Sequence, residues 1–119
     1  MSQRKEIVEK ELNVRVPEQY AAFLDKYGIY DPPGVEVYGI NENLLRYDGV
    51  PCVIGVTKKY RKRYGMPHRF LVIQYSGFED EMICLDTENE KVYAISRYLG
   101  NREIADSFNE WFERDILSR

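Results

Sequence analysis

The amino-acid sequence predicts an α+β fold: a single antiparallel sheet of about five strands packed with N-terminal and C-terminal helices. Apolar residues recur every three or four positions near both ends of the chain, which is the spacing of amphipathic helices. The middle of the chain consists of short β-branched and aromatic runs bounded by Gly, Pro, Asn and Asp. Because 119 residues suffice for one core but not comfortably for two, we treat residues 1–119 as one domain.

Two helices are predicted before the sheet. The first covers 2–12, with Ser2 as candidate cap and Val8 and Leu12 on one face. Pro17 suits the first position of the second helix, where its missing N–H costs nothing, and Gly28 suits a left-handed end. The apolar face of this second helix has four members: Tyr20, Phe23, Leu24 and Tyr27.

The sheet and the last helix follow Pro32-Pro33-Gly34, which cannot continue a helix. Strands are predicted at 35–40, 51–57, 69–76, 81–86 and 91–95. Short turns at 76–80 and 87–90 predict that the last three strands form an antiparallel meander. Asn101 is the candidate cap of the last helix, whose predicted apolar face comprises Ile104, Ala105, Phe108, Trp111 and Phe112.

Composition excludes several classes of function. The chain has 17 Lys and Arg against 20 Asp and Glu, a net charge of −3, so the whole molecule offers no basic field for nucleic acid. No apolar run approaches the ~20 residues that span a bilayer, and we expect a soluble, cytoplasmic protein. Cys52 and Cys84 lie in apolar segments, which favours buried free thiols over a disulfide.

Catalytic patterns are weak. His68 is the only histidine, so a two-histidine metal site cannot be built, and we interpret it as structural or solvated. The glycines do not have the spacing of a phosphate-binding loop. A cysteine nucleophile would need a base that the one histidine has to supply. We therefore expect no enzyme, no cofactor and no metal.

Two charged clusters are candidate binding surfaces. The acidic cluster surrounds the predicted turns, which could bring its carboxylates to one end of the sheet or could simply aid solubility; its candidate contacts are Glu79, Asp80, Glu81 and Asp86 with nearby Tyr75 and Phe78. The basic segment 58–64 could hold RNA or could be a solvated helical turn or crossing loop; its candidate contacts are Lys59, Tyr60, Arg61, Arg63 and Tyr64. The negative net charge favours the second interpretation of this segment. Ten tyrosines modestly favour a protein-binding surface.

The chain also resembles the SUKH superfamily along nearly its whole length. The run Leu12-Asn13-Val14-Arg15-Val16-Pro17-Glu18-Gln19-Tyr20, followed by Phe23-Leu24 and Tyr27-Gly28, is similar to the opening signature of that superfamily. Further similar segments follow in order: Val37-Tyr38-Gly39-Ile40, Thr57 with Arg61, Gly65 and Pro67, 70–73, Ile83-Cys84-Leu85-Asp86 and Ile104-Ala105-Asp106-Ser107-Phe108. The resemblance implies the SMI/KNR-like fold.

The superfamily includes bacterial immunity proteins, which bind and silence a cognate toxin, often a nuclease, and fungal SMI/KNR regulators of cell-wall synthesis. The resemblance therefore implies a protein-binding role without catalysis, with a toxin encoded nearby as the expected partner. A regulatory or scaffold protein of the same fold with a non-toxin partner is the alternative, and an RNA-binding protein that uses 58–64 is a third. The short segment 41–50 lacks tryptophan, unlike the elaborated region of many relatives, so partner identity does not transfer.

Overall fold

The structure is a computed structural model, and it describes residues 3–40, 52–76, 80–96 and 100–118. Three helices come first in the chain: α1 (Gln3–Leu12), α2 (Glu18–Lys26) and α3 (Val53–Tyr64). Four strands follow: β1 (Phe70–Tyr75), β2 (Glu81–Asp86), β3 (Val92–Ser96) and β4 (Gly100–Ala105). The C-terminal helix begins as α4 (Phe108–Trp111) and continues as a π-helix (Phe112–Leu117). The α+β prediction is confirmed.

The four strands form one antiparallel sheet in the order β1-β2-β3-β4. The predicted meander of the last three predicted strands is confirmed as β1, β2 and β3. β2 is buried along its whole length, and it lies between β1 and β3 in the interior of the sheet. β4 is an edge strand whose first residues are exposed and polar, a composition that discourages pairing with other chains.

The predicted strand at 51–57 is wrong, because the segment that starts at Val53 is helix α3. Val53, Ile54 and Val56 are all buried, and a short buried β-branched run has the same appearance in a helix as in a central strand. Gly65 ends α3 in the left-handed conformation with a φ of 63°. The basic segment 58–64 therefore lies on the last turns of a helix.

The predicted strand at 35–40 is also wrong. Its residues form only isolated bridges, from Val37 to Tyr30 and from Gly39 to Cys52. The segment instead lies against the edge of the sheet, where the Tyr38 N–H donates to the Ile73 carbonyl at 2.7 Å. The segment lies between α2 and α3 in the chain and is hydrogen-bonded to the edge strand β1.

The predicted cap at Asn101 is wrong as well, since Asn101 pairs with Ile95 inside β4. The last helix starts after Ser107, whose hydroxyl accepts the Glu110 N–H at 3.2 Å. The sequence of β4 shows no regular alternation of apolar and polar residues, because an exposed edge strand needs few apolar residues. Ile104 and Ala105 consequently lie on the sheet and not on the helix.

An aromatic core joins α2 to the C-terminal helix. Phe108, Trp111 and Phe112 are buried as predicted, and the Phe108 ring lies 5.3 Å from Phe23 and 5.2 Å from Tyr20. Gly28 follows α2 with a φ of 71°, as its predicted left-handed end requires. Several of the ten tyrosines therefore serve the core, and composition alone overstated their value as surface contacts.

Helix α3 packs across β1 and thereby fixes the position of its own C-terminal turns. The buried Thr57 hydroxyl accepts the Val72 N–H at 3.0 Å, where the β1–β2 register is irregular. No helix in the described part of the chain is both long and apolar enough to cross a membrane.

Candidate protein interface

The two predicted acidic turns lie at opposite ends of the sheet. Glu81 begins β2 and Asp86 ends it, so these residues are about 17 Å apart along the strand. Successive hairpins of an antiparallel meander alternate between the two ends. The expectation that their carboxylates meet at one end is wrong.

Glu81 and Asp86 are also engaged inside the fold. The Glu81 side chain is 9% exposed and pairs with Arg102 of β4. The Asp86 carboxylate is 2% exposed and accepts the Arg69 Nε–H at 2.8 Å. It also accepts the Glu88 N–H at 2.8 Å, which holds the turn after β2. Both carboxylates therefore stabilise the sheet.

Tyr75 and Asp80 are the described members of the predicted acidic surface that reach solvent. The Tyr75 side chain is 42% exposed, and its hydroxyl donates to Asp80 Oδ1 at 3.1 Å. This hydrogen bond raises the pKa of Tyr75. Phe78 and Glu79 lie outside the described residues.

Arg61 serves a structural role within the predicted basic surface. Its Nη1 donates to the Leu12 carbonyl at 2.9 Å and its Nη2 donates to the His68 carbonyl at 2.6 Å. Burial lowers the pKa of Arg61. The guanidinium therefore joins the end of α1 to the segment before β1 through two hydrogen bonds. Lys58, just before the predicted contacts, pairs with Glu11 of α1 at 3.1 Å.

Tyr60 and Tyr64 stack on one another on the exposed side of α3. Their ring centroids are 5.3 Å apart with an interplanar angle of 13°. Lys59 Nζ lies 5.6 Å from the Tyr60 ring centre, and the Arg63 guanidinium lies 5.8 Å from that of Tyr64. The Tyr64 side chain is 37% exposed. This pair of rings is flanked by cations, and its Tyr64 member reaches solvent.

The structure brings parts of the two predicted surfaces together. Burial is the largest cause of the raised pKa of Tyr60, and the nearby Tyr64 and Asp80 raise it further. Tyr60 and Tyr64 likewise add to the raised pKa of Tyr75. We name Tyr60, Tyr64, Tyr75 and Asp80 the tyrosine face. The spacing of four between Tyr60 and Tyr64 would have indicated their contact, had the segment been recognised as a helix.

A groove of about 300 Å³ runs along the tyrosine face. Its apolar lining comes from Met66, Met82 and Ile95, and Tyr64 and Asp80 also line it. The three apolar residues come from the loop before β1 and from β2 and β3, so only the assembled sheet creates the groove. Its apolar lining and polar rim match the anatomy of protein interfaces.

The candidate catalytic groups, His68 and the two cysteines, are not among the residues that line this groove. His68 is exposed, and its Nε2 lies 2.9 Å from the Asn13 carbonyl oxygen. Cys52 and Cys84 are buried and free of disulfides, as predicted. Burial raises the pKa of the Cys84 thiol, whose sulfur lies 3.8 Å from that of Met66. Within the described ranges, no three His, Cys, Asp or Glu side chains are grouped as metal ligands.

One comparison with known proteins identifies the family. The chain matches the family model SUKH_5, described as SMI1-KNR4 cell-wall, over residues 2–117. The matched range contains every described helix and strand. The chain belongs to the SUKH family of SMI1-KNR4-like proteins.

Proposed function

We propose that residues 1–119 form a single SUKH domain that binds another protein without catalysis, as a cytoplasmic immunity protein that neutralises a cognate, nuclease-type toxin. Family membership supports a protein partner in general. The observation that supports the binding site is the exposure of Tyr64 and Tyr75, of which Tyr64 lines a groove together with Asp80 and Tyr75 donates a hydrogen bond to Asp80.

The energetic argument rests on the two exposed rings. A tyrosine has a large apolar surface and a polar tip, so it tolerates water when free and contributes strongly when a partner covers it. Complete burial of a large apolar side chain is worth about 1.5–3 kcal/mol, and Tyr64 and Tyr75, which are 37% and 42% exposed, would contribute the share that a partner still covers. A few central aromatic residues often supply most of the affinity of an interface. Tyr64 and Tyr75 are positioned for that role.

Neutralisation by this surface would need no reaction. A nuclease binds its substrate through basic groups, and a rigid domain that covers those groups excludes the nucleic acid. Asp80 supplies a negative charge within the tyrosine face. Of the carboxylates first predicted as contacts, Glu81 and Asp86 act from inside the fold, so we assign the contact role to Asp80 and Tyr75.

The test is co-expression with the product of the neighbouring gene. We expect that product to be toxic alone, and to be tolerated and co-purified when this chain is present. The double variant Tyr64→Ala/Tyr75→Ala should weaken the complex by about tenfold or more. Leu117→Ala is the matched control, because Leu117 is a large apolar residue that is 46% exposed on the C-terminal helix.

A neighbouring product that is harmless alone, or that stays lethal beside this chain, would exclude the immunity role. In that case a pull-down from the native host would test the regulatory alternative with a non-toxin partner. If the double variant binds as strongly as the wild type, the partner binds a surface other than the tyrosine face. RNA binding by 58–64 has less support, because Arg61 and Lys58 are engaged with α1.

A further inference from the structure

Among its described lining residues, the groove beside Tyr64 contains one charged group. Met66, Met82 and Ile95 contribute thioether and aliphatic surface, and Asp80 contributes the only formal charge of this described lining at neutral pH. The described lining thus combines an apolar wall with one anion. Its volume of about 300 Å³ is at the small end for a ligand site, which suits one long side chain.

Asp80 retains capacity to bind a cation. One carboxylate oxygen, Oδ1, accepts the Tyr75 hydroxyl at 3.1 Å. An ionised carboxylate has about four lone-pair sites, so a neutral hydroxyl occupies a small part of its capacity and leaves its charge in place. No basic side chain in the described ranges forms an ion pair with Asp80.

Two basic residues of α3 lie over rings of the tyrosine face. Lys59 lies over Tyr60 and Arg63 lies over Tyr64, at 5.6 Å and 5.8 Å from the ring centres. Both distances are within the range of a cation–π interaction. Neither of these two described cations is paired with the Asp80 carboxylate, which can therefore accept a cation from a partner.

From this arrangement we infer that the groove binds an arginine side chain of the protein partner, an inference that rests on the proposed protein-binding function. The alkyl part of the arginine packs on Met66 and Met82, and its guanidinium pairs with Asp80 beside Tyr64. Methionine surfaces adapt to such a stem, and the planar guanidinium matches a carboxylate and an aromatic ring together. An apolar or acidic side chain would instead leave Asp80 covered without a counter-charge, which is costly.

The test uses short peptides, so that the unidentified partner is not needed. Acetyl-Gly-Arg-Gly-amide is titrated into protein that carries ¹³C-methyl methionine, and the Met66 and Met82 methyl signals are followed. The same peptide with citrulline in place of arginine has nearly the same shape and no charge. Asp80→Asn tests the counter-ion, and because asparagine tolerates the left-handed conformation of this residue, with a φ of 55°, the variant should fold.

We expect saturable shifts of both methyl signals with the arginine peptide, and binding about tenfold weaker for citrulline, as for the loss of one charge-assisted hydrogen bond. Asp80→Asn should bind both peptides equally weakly. Asp25→Asn, an exposed carboxylate of α2, should behave as the wild type. Thermal unfolding of each variant checks that it is folded.

The inference is overturned if the arginine peptide gives no saturable shift, if citrulline binds as well as arginine, or if folded Asp80→Asn retains full arginine binding. These outcomes can be distinguished from a failure of the proposed function. Co-expression would still show neutralisation if the partner uses other side chains, and arginine binding would still be measured if the neighbouring product is harmless.

Discussion

A Cβ atom on Gly39 would lie 1.7 Å from the carbonyl oxygen of Gly28. The two backbones are in direct contact because the Ile40 N–H donates to that same carbonyl at 3.1 Å. The Gly39 carbonyl in turn accepts the Val53 N–H at 2.8 Å, at the start of α3. This contact sets the position of α2 relative to α3, and hence that of the helix which carries Tyr60 and Tyr64.

Gly39→Ala should therefore destabilise the fold by about 3 kcal/mol or more, because backbone and not a flexible side chain would have to move. Chemical denaturation measures the change in the free energy of unfolding. Gly34→Ala is the matched control: Gly34 has a φ of 83° but nothing within 4 Å of the added atom, so only about 1–2 kcal/mol of backbone strain is expected. Equal costs would contradict the close contact.

Thr57 provides a prediction about the attachment of α3 to the sheet. Thr57→Val keeps the shape of the side chain and removes the acceptor of the buried Val72 N–H. We expect a loss of about 1–3 kcal/mol and faster hydrogen exchange at Val72. Thr57→Ser keeps the hydroxyl and should protect that amide. Exchange at Val72 that is unchanged in Thr57→Val would show that the bond is unimportant.

Arg61 differs from its neighbours in the basic segment. Arg61→Ala should lower the free energy of unfolding by about 2 kcal/mol, since the carbonyls of Leu12 and His68 lose a charged donor that joins two distant segments. Arg63→Ala, an exposed change two residues later, should stay within about 0.5 kcal/mol of the wild type. Similar values for the two variants would mean that Arg61 is as solvated as Arg63.

Asp86 provides a comparison between a buried and an exposed carboxylate. Asp86→Ala should cost about 2–3 kcal/mol, because it removes the partner of Arg69 and the acceptor of the Glu88 N–H. Glu103→Ala removes an exposed pair with Lys91, joined at 3.1 Å, and should cost at most about 1 kcal/mol. Denaturant titration of the two variants, measured side by side, decides whether Asp86 is structural.

The burial of the Tyr20 hydroxyl predicts that the protein loses stability at alkaline pH. Burial raises the pKa of Tyr20 well above its ordinary value of 10.0, and its hydroxyl donates to the Tyr38 carbonyl at 2.7 Å. The folded chain thus keeps the Tyr20 proton to higher pH than the unfolded chain. This contribution to stability is fully present below about pH 10 and is lost as the pH rises beyond it.

Tyr20→Phe removes the titrating hydroxyl, so the fall in unfolding free energy above pH 10 should become shallower by up to about 1.4 kcal/mol per pH unit. Equilibrium denaturation at a series of pH values measures that slope. Tyr38→Phe should also flatten the curve, because its pKa is raised to about 12, chiefly by burial. A slope identical to that of the wild type in both variants would contradict the assignment.

Sequence patterns located most elements where local periodicity is strong. The spacing of apolar residues predicted α2 and the buried face Phe108, Trp111 and Phe112, and the short turns predicted the β1–β3 meander. The segment 51–57 was assigned to a strand because a run of buried residues has no visible period. Once α3 is a helix, Tyr60 and Tyr64 fall on one side of it and the tyrosine face becomes visible.

The sequence by itself determined the fold class, the family resemblance and the identity of the aromatic core, because these depend on local spacing and on residue types. The tertiary structure alone decided that Glu81, Asp86 and Arg61 are engaged within the fold, and that Tyr75 and Asp80 lie beside Tyr60 and Tyr64. The physical reason is that burial and charge pairing depend on groups brought from distant parts of the chain, and local patterns contain no record of those neighbours.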